Sequence, residues 1–176
     1  MRIIGIDASL TSTGLAEYHD GAYKTHHHGR AGKNSDTLAQ RRARLDDSKL
    51  ETLDWVYDNG NEVADLVLIE SHTFAAKGGS QHDRSGLWWL IVDALLANDT
   101  PIVEVSPSQI KLFATGKGNA DKDAVMIATV RRFRDVEFST NDEADALNLV
   151  DMALLHRGML SGFDYQHKAC DKVVWR

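Results

Sequence analysis

Asp142-Glu143-Ala144-Asp145-Ala146-Leu147 places two carboxylates three residues apart at the head of an apolar-periodic segment. On a helix, positions i and i+3 share a face, so Asp142 and Asp145 point the same way. Like charges that close repel unless a cation lies between them. Hard carboxylate oxygens suit Mg2+, with Mn2+ as the second choice. Two further acids end otherwise apolar runs: Asp7 after Ile3-Ile4-Gly5-Ile6, and Glu70 after Leu66-Val67-Leu68-Ile69. Four acids without a Cys or paired-His site suit two-metal phosphodiester hydrolysis. There, ions about 3.5–4 Å apart stabilise the attacking and leaving oxygens of an in-line displacement. Each acid alone has a plainer reading, Asp7 as a turn former and Asp142 as an acid favoured by a helix dipole. Their combination carries the argument: burial of Ala146, Leu147 and Val150 turns Asp142 and Asp145 toward the strand ends.

The elements that must position these acids follow from periodicity. Ile3 to Asp7 reads as a buried strand. Thr13 to Tyr18 and Ala22 to His28 flank Asp20-Gly21, a hairpin signal. Asp36 is the expected N-cap of a helix running to about Tyr57, with Leu38, Leu45, Leu53 and Val56 on its apolar stripe and Asn59-Gly60 as its stop. Leu66 to Glu70 and Ile102 to Val105 are core strands. Helices are expected over about Asp83 to Ala97, in a short piece starting at Pro107, over Lys122 to Arg134 and over Asp142 to His156. An opening meander followed by strand–helix alternation implies an α/β fold: a mixed five-stranded sheet, antiparallel then parallel, with helices on both faces. Asp7 and Glu70 then sit at the C-terminal strand ends, the edge where open α/β sheets bind ligands.

The 176 residues, 43% hydrophobic and 26% charged, are read as one domain, 1–176, with a substantial core. No apolar run reaches bilayer length, so no membrane partner is expected. One cysteine, Cys170, excludes an internal disulfide framework and suits a reducing cytoplasm. The net charge of −6 argues against a simple nucleic-acid coat. Basic residues nonetheless gather in two stretches. Arg30, Lys33, Arg41, Arg42, Arg44 and Lys49 form one; Lys111, Lys117, Lys122, Arg131, Arg132 and Arg134 form the other. Basic flanks to an acidic site, or ordinary solvated helices, would both produce this pattern.

Four segments in order resemble the RuvC-type Holliday-junction resolvases of the ribonuclease-H-like superfamily, over most of the chain. They are Ile3-Ile4-Gly5-Ile6-Asp7 with Thr13-Gly14-Leu15-Ala16; Leu66-Val67-Leu68-Ile69-Glu70; Val105 to Lys111 with Thr115 to Lys122; and Asp142 to Leu147. The resemblance implies a ribonuclease-H-like fold and a homodimeric, Mg2+-dependent endodeoxyribonuclease placing symmetric nicks in four-way DNA junctions. It implies Asp7, Glu70, Asp142 and Asp145 as metal-binding catalytic acids, Lys122 as a further catalytic residue, and Lys111, Lys117 and Lys122 as DNA contacts. Phe74 matches the aromatic that wedges at the junction crossover, though four residues beyond Glu70. Ala8-Ser9-Leu10 replaces the Pro-Gly of cellular members, as in a phage-encoded branch acting in a bacterial host. The acidic net charge leaves flaps and forks as alternative substrates.

Gly5-Ile6-Asp7 with Thr11-Ser12-Thr13-Gly14 also resembles the opening of actin-like or sugar-kinase ATPases, but the chain is too short for the duplicated domain and has no second phosphate loop. A catalytically dead DNA-binding module has no physical reason to keep four repelling acids. The run His26-His27-His28 would send His26 and His28 to one face, where a transition metal is less expected than a solvated strand end. His72 is expected near the acids. Gly86 to Leu96, apolar nearly all round, needs cover on more than one side, which the resemblance assigns to a dimer interface. The tail from Phe163 to Trp175 packs on the body or on a partner.

Overall fold

The computed structural model describes residues 1–57, 63–72 and 81–175. Phe74, the Asn59-Gly60 stop and Lys77 to Ser80 lie outside the described residues. The strands are β1 (Arg2–Asp7), β2 (Thr13–His19), β3 (Ala22–His28), β4 (Leu66–Glu70) and β5 (Ile102–Val105). They form one sheet in the order β3-β2-β1-β4-β5. β1 pairs antiparallel with β2 and parallel with β4, β2 antiparallel with β3, and β4 parallel with β5. The helices are α1 (Leu38–Val56), α2 (Gln81–Ala97), α3 (Pro107–Thr115), α4 (Lys122–Arg132), α5 (Asn141–His156) and α6 (Asp164–Cys170).

Strand alternation sorts the core into two layers. Ile3, Ala16, Leu66, Leu68, Val103 and Val105 pack with Leu147, Leu149 and Val150 of α5 and with Ile110 and Phe113 of α3. Ile4, Ile6, Leu15, Val67 and Ile69 face the other way, against Val56 of α1 and Leu87, Ile91 and Leu95 of α2. The same period of two carries Asp7 and Glu70 to the α5 face, two residues beyond Gly5 and Leu68. β1 and β4 are in register, Ile6 opposite Ile69, so both acids leave the sheet at the same level.

Two glycines decide how closely α5 approaches. A Cβ on Gly5 would lie 2.2 Å from the Ala146 carbonyl oxygen, and one on Gly14 would lie 2.1 Å from the Asp142 carbonyl carbon. Without them the first turns of α5 could not lie directly on β1 and β2.

Some boundaries differ from expectation. Thr37, not Asp36, caps α1: its hydroxyl accepts from the Gln40 N–H, and Gln40 reaches back in a capping box. Asp36 instead accepts from the Lys33 N–H at 2.8 Å and from Arg44 at 2.6 Å. α4 stops at Arg132, two residues early. The tail forms α6 and packs on the body: Ala169, Cys170 and Val173 join the α5-side core. Trp175 stacks on His156 at 3.9 Å and donates to the Cys170 carbonyl at 2.9 Å. On α2, Leu87, Ile91, Val92 and Leu95 are buried, whereas Trp89 and Leu96 are exposed.

The histidine run is a solvated strand end at His27 and in part at His26, but not at His28. His28 is buried, with Nε2 3.0 Å from the Thr52 hydroxyl. His26 and His28 do share a face, ring centroids 6.0 Å apart, and both approach Glu51 of α1. His27 points to the other face and approaches Glu143 at 3.3 Å.

Candidate active site

A cleft of about 300 Å³ opens at the C-terminal ends of β1 and β4. Asp7, Glu70, Asp142, Asp145, Lys111 and Lys122 all line it, together with His72. One carboxylate oxygen from each of Asp7, Glu70 and Asp145 lies within 4.8 Å of the others, and all three residues are half-buried. Asp142, one turn back, lines the same cleft but stands outside that three-oxygen cluster. Lys117 lies exposed on the loop after α3 and does not line the cleft.

Each side chain is held by the local chemistry of its element. Asp7 is followed by a closed loop in which the Thr13 hydroxyl donates to the Ser9 carbonyl at 2.7 Å and accepts from the Ser9 N–H. The Trp88 indole donates to the Glu70 carbonyl at 2.8 Å, and the Ser71 N–H donates to Val105 at 2.8 Å, fixing the end of β4. Lys111 lies in α3, started by a Ser106–Gln109 capping box with Pro107 in its first turn and stopped by Gly116 at φ 80°. Lys122 begins α4, whose N-cap Asp121 accepts from the Ala124 N–H at 2.8 Å.

The intervening acid of the Asp142 motif does different work. Glu143 is buried and completes a capping box with Thr140. Its carboxylate accepts from the N–H groups of Ser139 and Thr140, both at 2.9 Å, and from their hydroxyls. Burial opposes its charge, but these donors together with His27 hold its pKa below the usual range. Glu143 thus anchors the end of α5 that carries Asp142 and Asp145. Glu143→Ala is expected to cost about 1–2 kcal/mol of stability, read as a lower urea midpoint; an unchanged midpoint would contradict this role.

The acids make a site that resists being fully charged. Burial, then repulsion from Glu70, Asp145 and Asp142, raises the Asp7 pKa well above its ordinary value. Burial and Asp145 push Glu70 up to about 8, with Lys122 opposing. Burial and Asp142 push Asp145 up to about 6, against Lys122 and Lys111. Hard, mutually repelling oxygens around one point form a donor set that a divalent cation fits.

The chain is 28% identical over 166 residues to the crossover junction endodeoxyribonuclease RuvC of Nocardia farcinica, covering 89% of this chain and 80% of that one. It is 26% identical over 148 residues to the RuvC of Hydrogenovibrio crunogenus, covering 83% of each. The structure of Thermus thermophilus RuvC in complex with Holliday junction substrate aligns with 93% of this chain and 99% of that one, at TM-score 0.68 and 19% identity. The chain is similar to RuvC in sequence and in fold. No protein-family model matches it. The fold is accordingly the ribonuclease-H-like one, and the fowlpox virus Holliday junction resolvase shares it more distantly, at TM-score 0.51 and 17% identity over 91% of this chain and 100% of that one.

Arg84, Trp88 and Asn141 line the cleft without having been singled out from sequence. For the first two a signal existed: they stand four residues apart, on one face of α2. The first basic stretch is largely neutralised. Arg30 pairs with Asp47, Arg42 and Lys49 with Asp46, and Arg41 and Arg44 with Asp83. In the second stretch, Arg132 lies over the Phe113 ring and donates to Asn148.

Proposed function

We propose that the chain is a metal-dependent endodeoxyribonuclease that resolves four-way DNA junctions by paired, symmetric nicks. The observation that carries this reading is the three-oxygen cluster at the ends of two core strands, in a cleft that also presents Lys111 and Lys122. Asp7, Glu70 and Asp145 would hold Mg2+ or Mn2+, with Asp142 supplying a fourth acid at the rim. Bound there, divalent ions supply charge stabilisation for the phosphoryl oxygens and a water of lowered pKa.

The chain's own residues do the rest. Lys111 and Lys122 place fixed positive charge beside the acids, offsetting part of their repulsion and attracting a backbone phosphate. The Trp88 indole and the β4–β5 ladder hold the Glu70 backbone, and so fix where its side chain leaves the sheet. Lys117 would contact DNA from the loop beyond α3, and Phe74 would act at the branch point.

Paired nicks need two copies, and the exposed Trp89 and Leu96 of α2 support a homodimer through that helix. No helix among the described residues is long and apolar enough to cross a membrane, and a DNA substrate places the work in the cytoplasm of a bacterium or of a phage's bacterial host.

The test is cleavage of labelled four-way junction, fork, flap and linear duplex with Mg2+ or Mn2+. Symmetric nicks in opposite junction strands, abolished by EDTA, are the expected result. Equal cutting of flaps and forks would move the reading to a broader branched-DNA nuclease. No cleavage of any branched substrate would end it.

A further inference from the structure

The carboxylate cleft does not stop at Asp7. Ser9 and Arg84, which line it, also line a second hollow of about 590 Å³. This hollow is bounded by the loop after β1, the loop after β3, and the first turns of α1 and α2. Its wall is tightly built. A Cβ on Gly29 would lie 2.6 Å from the Thr11 carbonyl carbon, and one on Gly32 would lie 2.2 Å from the Arg44 guanidinium. The two glycines let the loop after β3 lie flat on both neighbours.

Arg44, nearly buried, pairs with Asp36 at 2.6 Å and Asp83 at 3.4 Å, while Arg41 donates to both oxygens of Asp83. These two cations and two anions cancel. Lys33 and Arg84 remain. Both are exposed, both line the hollow, and neither is in an ion pair among the described residues.

We propose that this hollow carries the sugar-phosphate backbone of the cleaved strand next to the scissile bond, with Lys33 and Arg84 each neutralising one phosphate. A strand that enters the carboxylate cleft must leave it, and the shared Ser9 and Arg84 make this hollow its continuation. The ligand is a polyanion because the surplus charge is positive, and Ser9, Thr11 and Asn34 add polar groups beside Leu10, Ala31 and Gly32 in the rest of the lining. Such contacts position a strand without reading its sequence. The proposal rests on the nuclease reading above.

The test measures binding of a fluorescent four-way junction in EDTA over a NaCl series, for the wild type and for Lys33→Ala/Arg84→Ala. Each lost phosphate contact flattens the slope of log K against log salt by about 0.9, so a change of about 2 is expected. Lys33→Arg/Arg84→Lys, which keeps both charges, is expected to restore the slope, so the proposal stays testable even if the alanine pair folds poorly. In the cleavage assay, neutral methylphosphonates placed singly beside the cut should slow the wild type at two positions and leave the alanine pair insensitive there. A wild type that binds and cuts junctions, with an alanine pair of unchanged slope, would overturn this proposal alone. A wild type that neither binds nor cuts branched DNA would take the nuclease reading down with it.

Discussion

Asp7→Asn is expected to lower metal-dependent DNA cleavage by roughly 10²–10³-fold, the scale on which a preorganised charge-stabilising group acts. It is also expected to make the metal-free protein more stable at alkaline pH. Asp7, Glu70 and Asp145 all have raised pKa values, Glu70 at about 8 and Asp145 at about 6, because burial and mutual repulsion disfavour their charged forms. A carboxyl raised in this way contributes stability that is fully present below its unfolded pKa of about 4 and is lost as the pH climbs through the folded value. The metal-free wild type therefore loses stability from Asp145 and Glu70 between about pH 4 and pH 8 and from Asp7 as the pH climbs above the ordinary carboxylate range, and Asp7→Asn loses less. Divalent ion reverses the loss by replacing the protons. At about 100 times its Kd an ion adds about 2.7 kcal/mol, roughly 5–10 °C in Tm for a chain of this size. Thermal unfolding of both proteins, with and without Mg2+ at about pH 5 and pH 8, checks this. A variant less stable than the wild type at every pH would contradict it.

Gly14→Ala is the second large effect. Its methyl group would meet the α5 backbone at Asp142, which unlike a flexible side chain cannot swing aside. Overpacking costs typically 1–3 kcal/mol, and a backbone obstacle places this case at the upper end, about 3 kcal/mol. The helix must lift, and it carries Asp142 and Asp145 with it. A shift of about 1 Å in a catalytic group costs about 100-fold in rate, so cleavage should fall more than the loss of stability alone explains. Gly21→Ala is the control: its φ of 92° makes the change mildly strained, but nothing lies within 4 Å of the added carbon. Cleavage by that variant should match the wild type. Equal behaviour of the two variants in urea unfolding and cleavage would refute the close-packing role of Gly14.

The geometry around the site was legible where a short-range pattern determined it. Strict alternation sent Asp7 and Glu70 to one sheet face, and the apolar residues after Asp145 turned α5 onto that face. All five strands and the helices through α5 follow from such periodicity. What stayed hidden depended on partners distant in sequence. Alternation already put His27 and His28 on opposite faces of β3, but their partners, Glu143 for one and Thr52 for the other, show only with α1 and α5 in place. Glu143 looked like one acid among three until its four donors at Ser139 and Thr140 were seen. The α1 cap was misplaced by one residue because Asp36 and Thr37 are both good caps, although the Thr37–Gln40 spacing could have decided it. Asp142 matched the spacing rule yet stands off the three-oxygen cluster, because i and i+3 share a face without sharing a point in space. The tail was undecidable because α6 is too short to show a period.

The central claim is that Asp7, Glu70 and Asp145 form one cation-binding centre. Titration of Mn2+ into the wild type and Asp7→Asn at about pH 8, with free Mn2+ followed by its paramagnetic resonance signal, tests it most directly. Saturable binding by the wild type with release of protons, lost or strongly weakened in Asp7→Asn, is the expected result. Equal binding by the two proteins, or no binding by the wild type, would contradict it.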